Sequence, residues 1–131
     1  MEFTDPIARA EKARDADLEE GVRRAVRPVA DLAARAGKPV VFTSAGYAAV
    51  RGSFMAPRDE DLGRPASGED AARAIAAVFR ALGKEPWWRG IYWAKVFSDG
   101  KPAASGERGL NFLATPAEKA IGDGYRRMSA P

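Results

Sequence analysis

Hydrophobic positions along the chain change between helical spacing and short continuous runs. Apolar residues recur every three or four positions in three segments, 17–36, 67–82 and 115–128, as they do in helices with one buried face. Two short apolar runs, Val40–Thr43 and Ile91–Phe97, separate these segments and have the length of buried strands. The pattern therefore predicts the order helix, strand, helix, strand, helix, which is typical of parallel βα units.

The residue types at the segment ends are consistent with this order. Residues 17–20 (Asp-Leu-Glu-Glu) have the form of a capping box, and Ser67 is a typical helix cap. Pro28 lies inside the first helical pattern, where we expect it to kink or split the helix. Residues 1–16 are charged and weakly patterned, so we expect a weakly ordered lead-in to a folded region, 17–131.

Composition narrows the chemistry more than it narrows the fold. The 131 residues are enough for one domain, and their 46% hydrophobic and 30% charged fractions are typical of soluble globular proteins. No apolar run has the length of a membrane span, and no signal-peptide pattern opens the chain. We therefore predict a soluble protein, and the sequence does not indicate its cellular location. The chain has no cysteine and no histidine, which excludes Ser-His-Asp triads, thiolate metal sites and cysteine nucleophiles. We expect neither a metal nor a cofactor.

The net charge of +3 does not indicate a nucleic-acid partner. The 21 basic residues are interleaved with 18 acidic ones along the chain. A nucleic-acid-binding surface needs basic residues clustered on one face, so we expect no such partner.

Candidate site residues follow the two predicted strands. Ligand sites of parallel α/β folds gather at the carboxyl ends of the strands, where Ser44 follows the first strand. Tyr47 and Trp93 could contact a ligand there, or could simply pack between strand and helix. Lys95 is a charge inside an apolar run, and is either a site residue or an ion-pair partner.

Several short motifs, in order, resemble the C-terminal part of glycoside hydrolase family 113. This family comprises retaining β-mannanases with a (β/α)₈ barrel. The resemblance implies an α/β fold, a partial (β/α)₈ TIM barrel made of about the last two βα units plus a preceding helix. The motifs are Gly37-Lys38-Pro39-Val40-Val41-Phe42-Thr43, Gly46-Tyr47, Pro86-Trp87-Trp88-Arg89-Gly90-Ile91-Tyr92-Trp93 and Pro116-Ala117.

The resemblance also implies which residues would act, and two of them are missing. The family pattern Thr-Glu-x-Gly-Tyr contains the catalytic nucleophile, and here Ser44 stands in the place of its Glu. The acid/base Glu would follow strand four of the barrel, which this chain does not contain. Retaining hydrolysis needs both carboxylates, so we expect an inactive barrel fragment, or pseudoenzyme, whose parent chemistry is hydrolysis of β-1,4-mannosidic bonds.

The resemblance makes Tyr47, Trp93 and Lys95 candidates for binding a β-linked oligosaccharide. The match around them is incomplete, because the family tends to have Trp-Trp-Lys-Trp where this chain has Trp93-Ala94-Lys95-Val96. In this interpretation the partner of the chain is a missing N-terminal portion of the barrel.

Two alternatives stay open. A non-catalytic interaction or carbohydrate-binding module could form by self-association, because two parallel strands alone leave open edges. An active enzyme could instead use a carboxylate of the acidic run Asp59-Glu60-Asp61, although loop charges are usually just solvated.

Overall fold

The computed structural model describes residues 1–57, 59, 63–94 and 109–130. It confirms an α/β fold of parallel βα units, in the order predicted from the hydrophobic pattern. A single turn of 3-10 helix, Ser53–Met55, lies in the loop after the first strand. The main elements are α1 (Asp15–Ala36), β1 (Val40–Ala45), α2 (Gly68–Leu82), β2 (Trp88–Trp93) and α3 (Pro116–Ser129).

Helix α1 is longer and more continuous than the sequence pattern predicted. It begins at Asp15, and the backbone N–H of Arg14 donates to the Asp17 carboxylate at 3.0 Å, so the capping interaction starts three residues earlier than expected. Pro28 lies within the helix and does not split it. The helix ends at Gly37, whose φ of 61° is a left-handed conformation that glycine adopts without strain.

Strands β1 and β2 form a parallel pair. The first residues of the chain continue this sheet beyond β1. The N–H of Phe3 donates to the Ser44 carbonyl at 2.9 Å, and the N–H of Thr43 donates to the Met1 carbonyl at 2.7 Å. Residues 1–16, expected to be a weakly ordered lead-in, thus place Phe3 along the sheet and bury Ile7 completely.

The core lies between one face of the sheet and the helices. Phe3 stacks on Phe42 at 5.2 Å between ring centroids, and Phe42 lies 6.2 Å from Trp88. Phe79 of α2 meets Trp88 edge-on at 5.8 Å, which joins the sheet to the helix layer. Offset and edge-on aromatic pairs of this kind add to the free energy of burial.

The opposite face of the sheet is only sparsely covered. Successive side chains of a strand point to opposite faces, and Val41 and Tyr92 alternate with the buried Phe42 and Ile91. Val41 is 40% exposed and Tyr92 is 70% exposed. The described helices thus cover one sheet face and leave these two side chains on the other.

No helix in the described ranges combines the length and the apolar character that crossing a membrane requires.

Two glycines of α3 give a test of its packing on α2. A Cβ built on Gly124 would lie 2.2 Å from Cδ2 of Phe79, whereas a Cβ on Gly122 would meet only the flexible Arg126 guanidinium, at 3.4 Å. We expect Gly124→Ala to lower the free energy of unfolding by about 1–3 kcal/mol through overpacking. Gly122→Ala is the matched control and should raise it by up to about 1 kcal/mol, because alanine favours helix.

Urea unfolding followed by circular dichroism would measure both variants. Stabilisation by both substitutions would contradict the close approach of α3 to Phe79.

Candidate functional site

The carboxyl ends of β1 and β2 lie side by side, as parallel pairing requires. The N–H of Ala94, just after β2, donates to the carbonyl of Ala45, the last residue of β1, at 2.6 Å. The loop that follows β1 is anchored beside them. The Asp70 carboxylate accepts from the N–H of Gly52 at 2.8 Å, and the N–H of Ser67 donates to the Ala49 carbonyl at 2.8 Å. These bonds fix the loop over the strand ends.

A bulge in β1 displaces Ser44 from the regular alternation of the strand. The partner pairs Phe42 with Ile91 and Ala45 with Trp93 leave one extra residue on β1 between them. Bulges of this kind re-aim side chains and are frequent beside active sites. Ser44 is half-buried at this bulge, at the strand end where parallel α/β folds bind ligands.

A carboxylate residue that the sequence analysis did not select pairs with Ser44 across the sheet. Glu2 forms a parallel bridge with Ser44, and neighbouring strands lie about 4.7–4.9 Å apart. Glu2 is exposed. No local pattern links position 2 to position 44. Residues 1–3 are too few to show the alternation of polar and apolar residues that would predict a strand. This arrangement places the backbone of Glu2 beside that of Ser44, and a single carboxylate residue is not the pair that retaining hydrolysis uses.

Tyr47 is buried in the core. Only 4% of its surface is exposed, and its hydroxyl has no hydrogen-bond partner among the described residues. Burial raises the pKa of this hydroxyl, and the nearby charge of Asp5 raises it further. The ring is therefore part of the hydrophobic core beneath the strand ends and is not accessible to solvent.

Trp93 also faces the helices. Its ring lies 5.8 Å from that of Phe79, and its indole N–H is buried with no hydrogen-bond partner in the described part of the chain. Tyr47 and Trp93 both line a cavity of about 10 Å³ between the strand ends and the starts of α2 and α3. That volume holds about one water molecule and is far smaller than a sugar ring.

The remaining candidates from the sequence are only partly described. Lys95, Glu60 and Asp61 lie outside the described residues. The Asp59 carboxylate lies 3.7 Å from the Arg64 guanidinium, which also donates to the Asp59 carbonyl at 3.1 Å. Within the described ranges no three Asp and Glu side chains converge closely enough to hold a metal ion.

The orphan hydroxyl of Tyr47 makes a testable prediction. A buried hydroxyl without a partner costs free energy, so Tyr47→Phe should leave stability at pH 7 unchanged or raise it by about 1 kcal/mol. The folded-state pKa is raised above the unfolded value of about 10. The raised pKa therefore leaves the free energy of unfolding unchanged below about pH 10 and lowers it as the pH rises above that value. Tyr47→Phe should lose less stability there than the wild type.

Urea unfolding at pH 7 and at about pH 10.5 would measure this difference. Tyr92→Phe is the matched control, because Tyr92 is 70% exposed and should behave as the wild type does. A loss of more than about 1 kcal/mol at pH 7 in Tyr47→Phe would mean that the hydroxyl has a partner, such as a buried water.

Comparison with solved structures places the fold among β-mannanases. The β-mannanase of Alicyclobacillus acidocaldarius in complex with ManMIm matches with a TM-score of 0.73 and 24% identity, over 85% of this chain and 36% of that one. A second structure, of a complex of a GH113 β-1,4-mannanase, matches with a TM-score of 0.69 and 19% identity, over 82% of this chain and 36% of that one. This chain thus spans about a third of the length of the structures it matches. Comparison with curated proteins found no match.

The family model of Glycoside Hydrolase Family 113 matches residues 7–111, which is most of the chain. The match covers α1, both strands and α2, together with the loops at the strand ends. The chain therefore belongs to glycoside hydrolase family 113.

Proposed function

We propose that this chain is the C-terminal portion of a mannanase-like barrel and that it has no hydrolytic activity by itself. The parent chemistry is retaining hydrolysis of β-1,4-mannosidic bonds. Two structures that the chain resembles are described as β-1,4-mannanases, which supports the substrate class. The observation that carries the proposed loss of activity is Ser44 near the carboxyl end of β1, a position that the proposal equates with the nucleophile of the family motif.

The chemistry of the strand ends supports the loss of activity. A retaining glycosidase needs one carboxylate to attack the anomeric carbon and a second, about 5–5.5 Å away, to donate a proton. The Ser44 hydroxyl is not ionised at neutral pH, and a chain without histidine has no imidazole to activate it. If the Glu2 carboxylate served as one of the two catalytic groups, the other carboxylate of the pair would still be missing.

A β-linked oligosaccharide is the proposed ligand of the completed barrel. It would lie across the strand ends above Ser44. Tyr47 and Trp93 would support that surface from beneath, because both side chains pack toward the helices. Lys95 is the proposed residue that contacts the sugar directly, since it comes two residues after the end of β2 in the sequence.

The second candidate function is a self-associating, non-catalytic module, favoured by the exposure of Val41 and Tyr92 on the open sheet face. A second copy could cover that face, as the rest of a barrel would. Sedimentation velocity of the pure chain distinguishes the two functions. A stable, cooperative oligomer favours the module, and a monomer or an aggregating chain favours the barrel portion.

The loss of activity is tested with Ser44→Glu. We expect neither the wild type nor this variant to release reducing ends from manno-oligosaccharides, because the acid/base carboxylate is still missing. The Alicyclobacillus β-mannanase is the positive control in the same assay. Turnover by Ser44→Glu alone would contradict the proposal of an incomplete barrel.

Turnover by the wild type would contradict the proposed inactivity itself. In that case Glu2→Gln, compared with alanine substitutions of the acidic run 59–61, would show which carboxylate carries it. Binding of mannotetraose can be measured separately from turnover, as changes in the NMR chemical shifts of the protein during a titration.

A further inference from the structure

A hollow of about 290 Å³ lies between α1 and α2, near the place where α2 ends and β2 begins. Arg24 and Arg27 line it from α1, Leu82 lines it from α2, and Trp87 lines it from the segment just before β2. Its volume is close to the lower limit of the range of about 300–1,000 Å³ that is usual for ligand pockets. The hollow lies at the amino end of β2, whereas Ser44 lies near the carboxyl end of the parallel strand β1.

The charged side chains around this hollow are balanced in sign. Arg23 also lines it, but its guanidinium is already paired with the Glu19 carboxylate, 2.8 Å away. Four further charged side chains line the hollow and form no ion pair with any described residue, and these are Arg24, Arg27, Glu20 and Glu85. Two positive and two negative groups are therefore available to a ligand. A strongly acidic or strongly basic ligand would meet like charges there, which opposes binding.

Trp87 differs from the other two tryptophans in its exposure. The indole N–H groups of Trp88 and Trp93 are buried without a partner among the described residues, and the N–H of Trp87 is not buried in this way. Trp87 is half-buried against the core, and it also lines a second hollow, of about 410 Å³, together with Pro39 and Pro86. Its side chain thus forms part of the surface of both hollows.

This combination of groups matches the chemistry of a neutral sugar. The C–H face of a pyranose ring is apolar, and an indole ring offers it a large, rigid apolar surface. Sugar hydroxyls both donate and accept hydrogen bonds, so guanidinium groups can donate to them and carboxylates can accept from them. Neither the two arginines nor the two glutamates would repel such a ligand, because it carries no charge.

We propose that the hollow between α1 and α2 is a second carbohydrate-binding site, whose ligand is a neutral β-linked oligosaccharide. A sugar ring packs on Trp87, and the four unpaired charged side chains bind the hydroxyls around it. The choice of a β-1,4-linked mannoside within this class rests on the proposed function. The helices of a (β/α)₈ barrel form its outer ring, so a site between two of them stays accessible when the barrel is closed.

An NMR titration of the full chain with mannotetraose tests the proposal, because the three indole N–H signals report on different places. Trp87 lies at the hollow, Trp93 lies beneath the strand ends, and Trp88 lies in the core. We expect mannotetraose to shift the Trp87 signal. Trp87→Phe keeps an aromatic ring at this position and identifies the Trp87 signal by its loss.

The double variant Arg24→Ala/Arg27→Ala removes two guanidinium groups from exposed positions of α1, so it should fold as the wild type does. It should bind mannotetraose at least about tenfold more weakly, because hydrogen bonds to charged groups are lost. Arg9→Ala/Arg35→Ala is the matched control. It removes the same charge from two exposed positions that line neither hollow, and its affinity should equal that of the wild type.

Three results would overturn the proposal. The first is a Trp87 signal that mannotetraose does not move, and a shift of Trp93 alone would then still support the proposed site at the strand ends. The second is a double variant Arg24→Ala/Arg27→Ala that binds as tightly as its control. The third is tighter binding of hexaglutamate than of mannotetraose at Trp87, which would make the hollow a site for acidic peptides. A shift of Trp87 without one of Trp93 would support this second site and count against sugar binding at the strand ends.

Discussion

The contact of Phe79 with its neighbours is the interaction on which the rest of the described structure depends. Its ring meets Trp88 and Trp93 from the sheet and Tyr125 from α3, while α2 carries it. Gly124 allows α3 to approach this ring closely. One side chain thus sets the distance of two helices from two strands.

The element order could be predicted from the sequence because each element carries its own local signal. Helical spacing, the Ser67 cap and the apolar runs are each visible within a few residues of sequence. The structure has the three helices, the cap and the first strand there, and it has the second strand at Trp88–Trp93, three residues earlier than the run that begins at Ile91. The path of residues 1–16 had no such signal. Phe3 and Ile7 are buried by partners more than thirty residues away, Ser44 and Phe54 among them, and no local pattern records a contact of that kind. Pro28 was expected to disturb α1, yet the helix continues through it.

The place of Ser44 in the fold was predictable from the sequence, and the geometry around it was much less so. The strand-end rule placed Ser44 correctly at the carboxyl end of β1. The bulge at that point and the bridge from Glu2 depend on how three separate segments pair. For Tyr47 and Trp93 the sequence left packing and ligand contact equally open. In the structure Tyr47 is buried, and the half-buried Trp93 packs against Phe79 of α2. Membership of family 113 explains why the motifs occur in this order along the chain.

The two bulges of the sheet have a joint consequence. One lies in β2 before Ile91 and the other in β1 before Ala45, so the strands advance by the same number of residues between their first and last partner pairs. The extra residue of one strand compensates for that of the other, so the last residues of the two strands, Ala45 and Trp93, remain paired. Deleting a single residue from either bulge would move one strand end by about 3.3 Å relative to its neighbour. Insertions and deletions at these two places are therefore coupled, and we expect related chains to carry both bulges or neither.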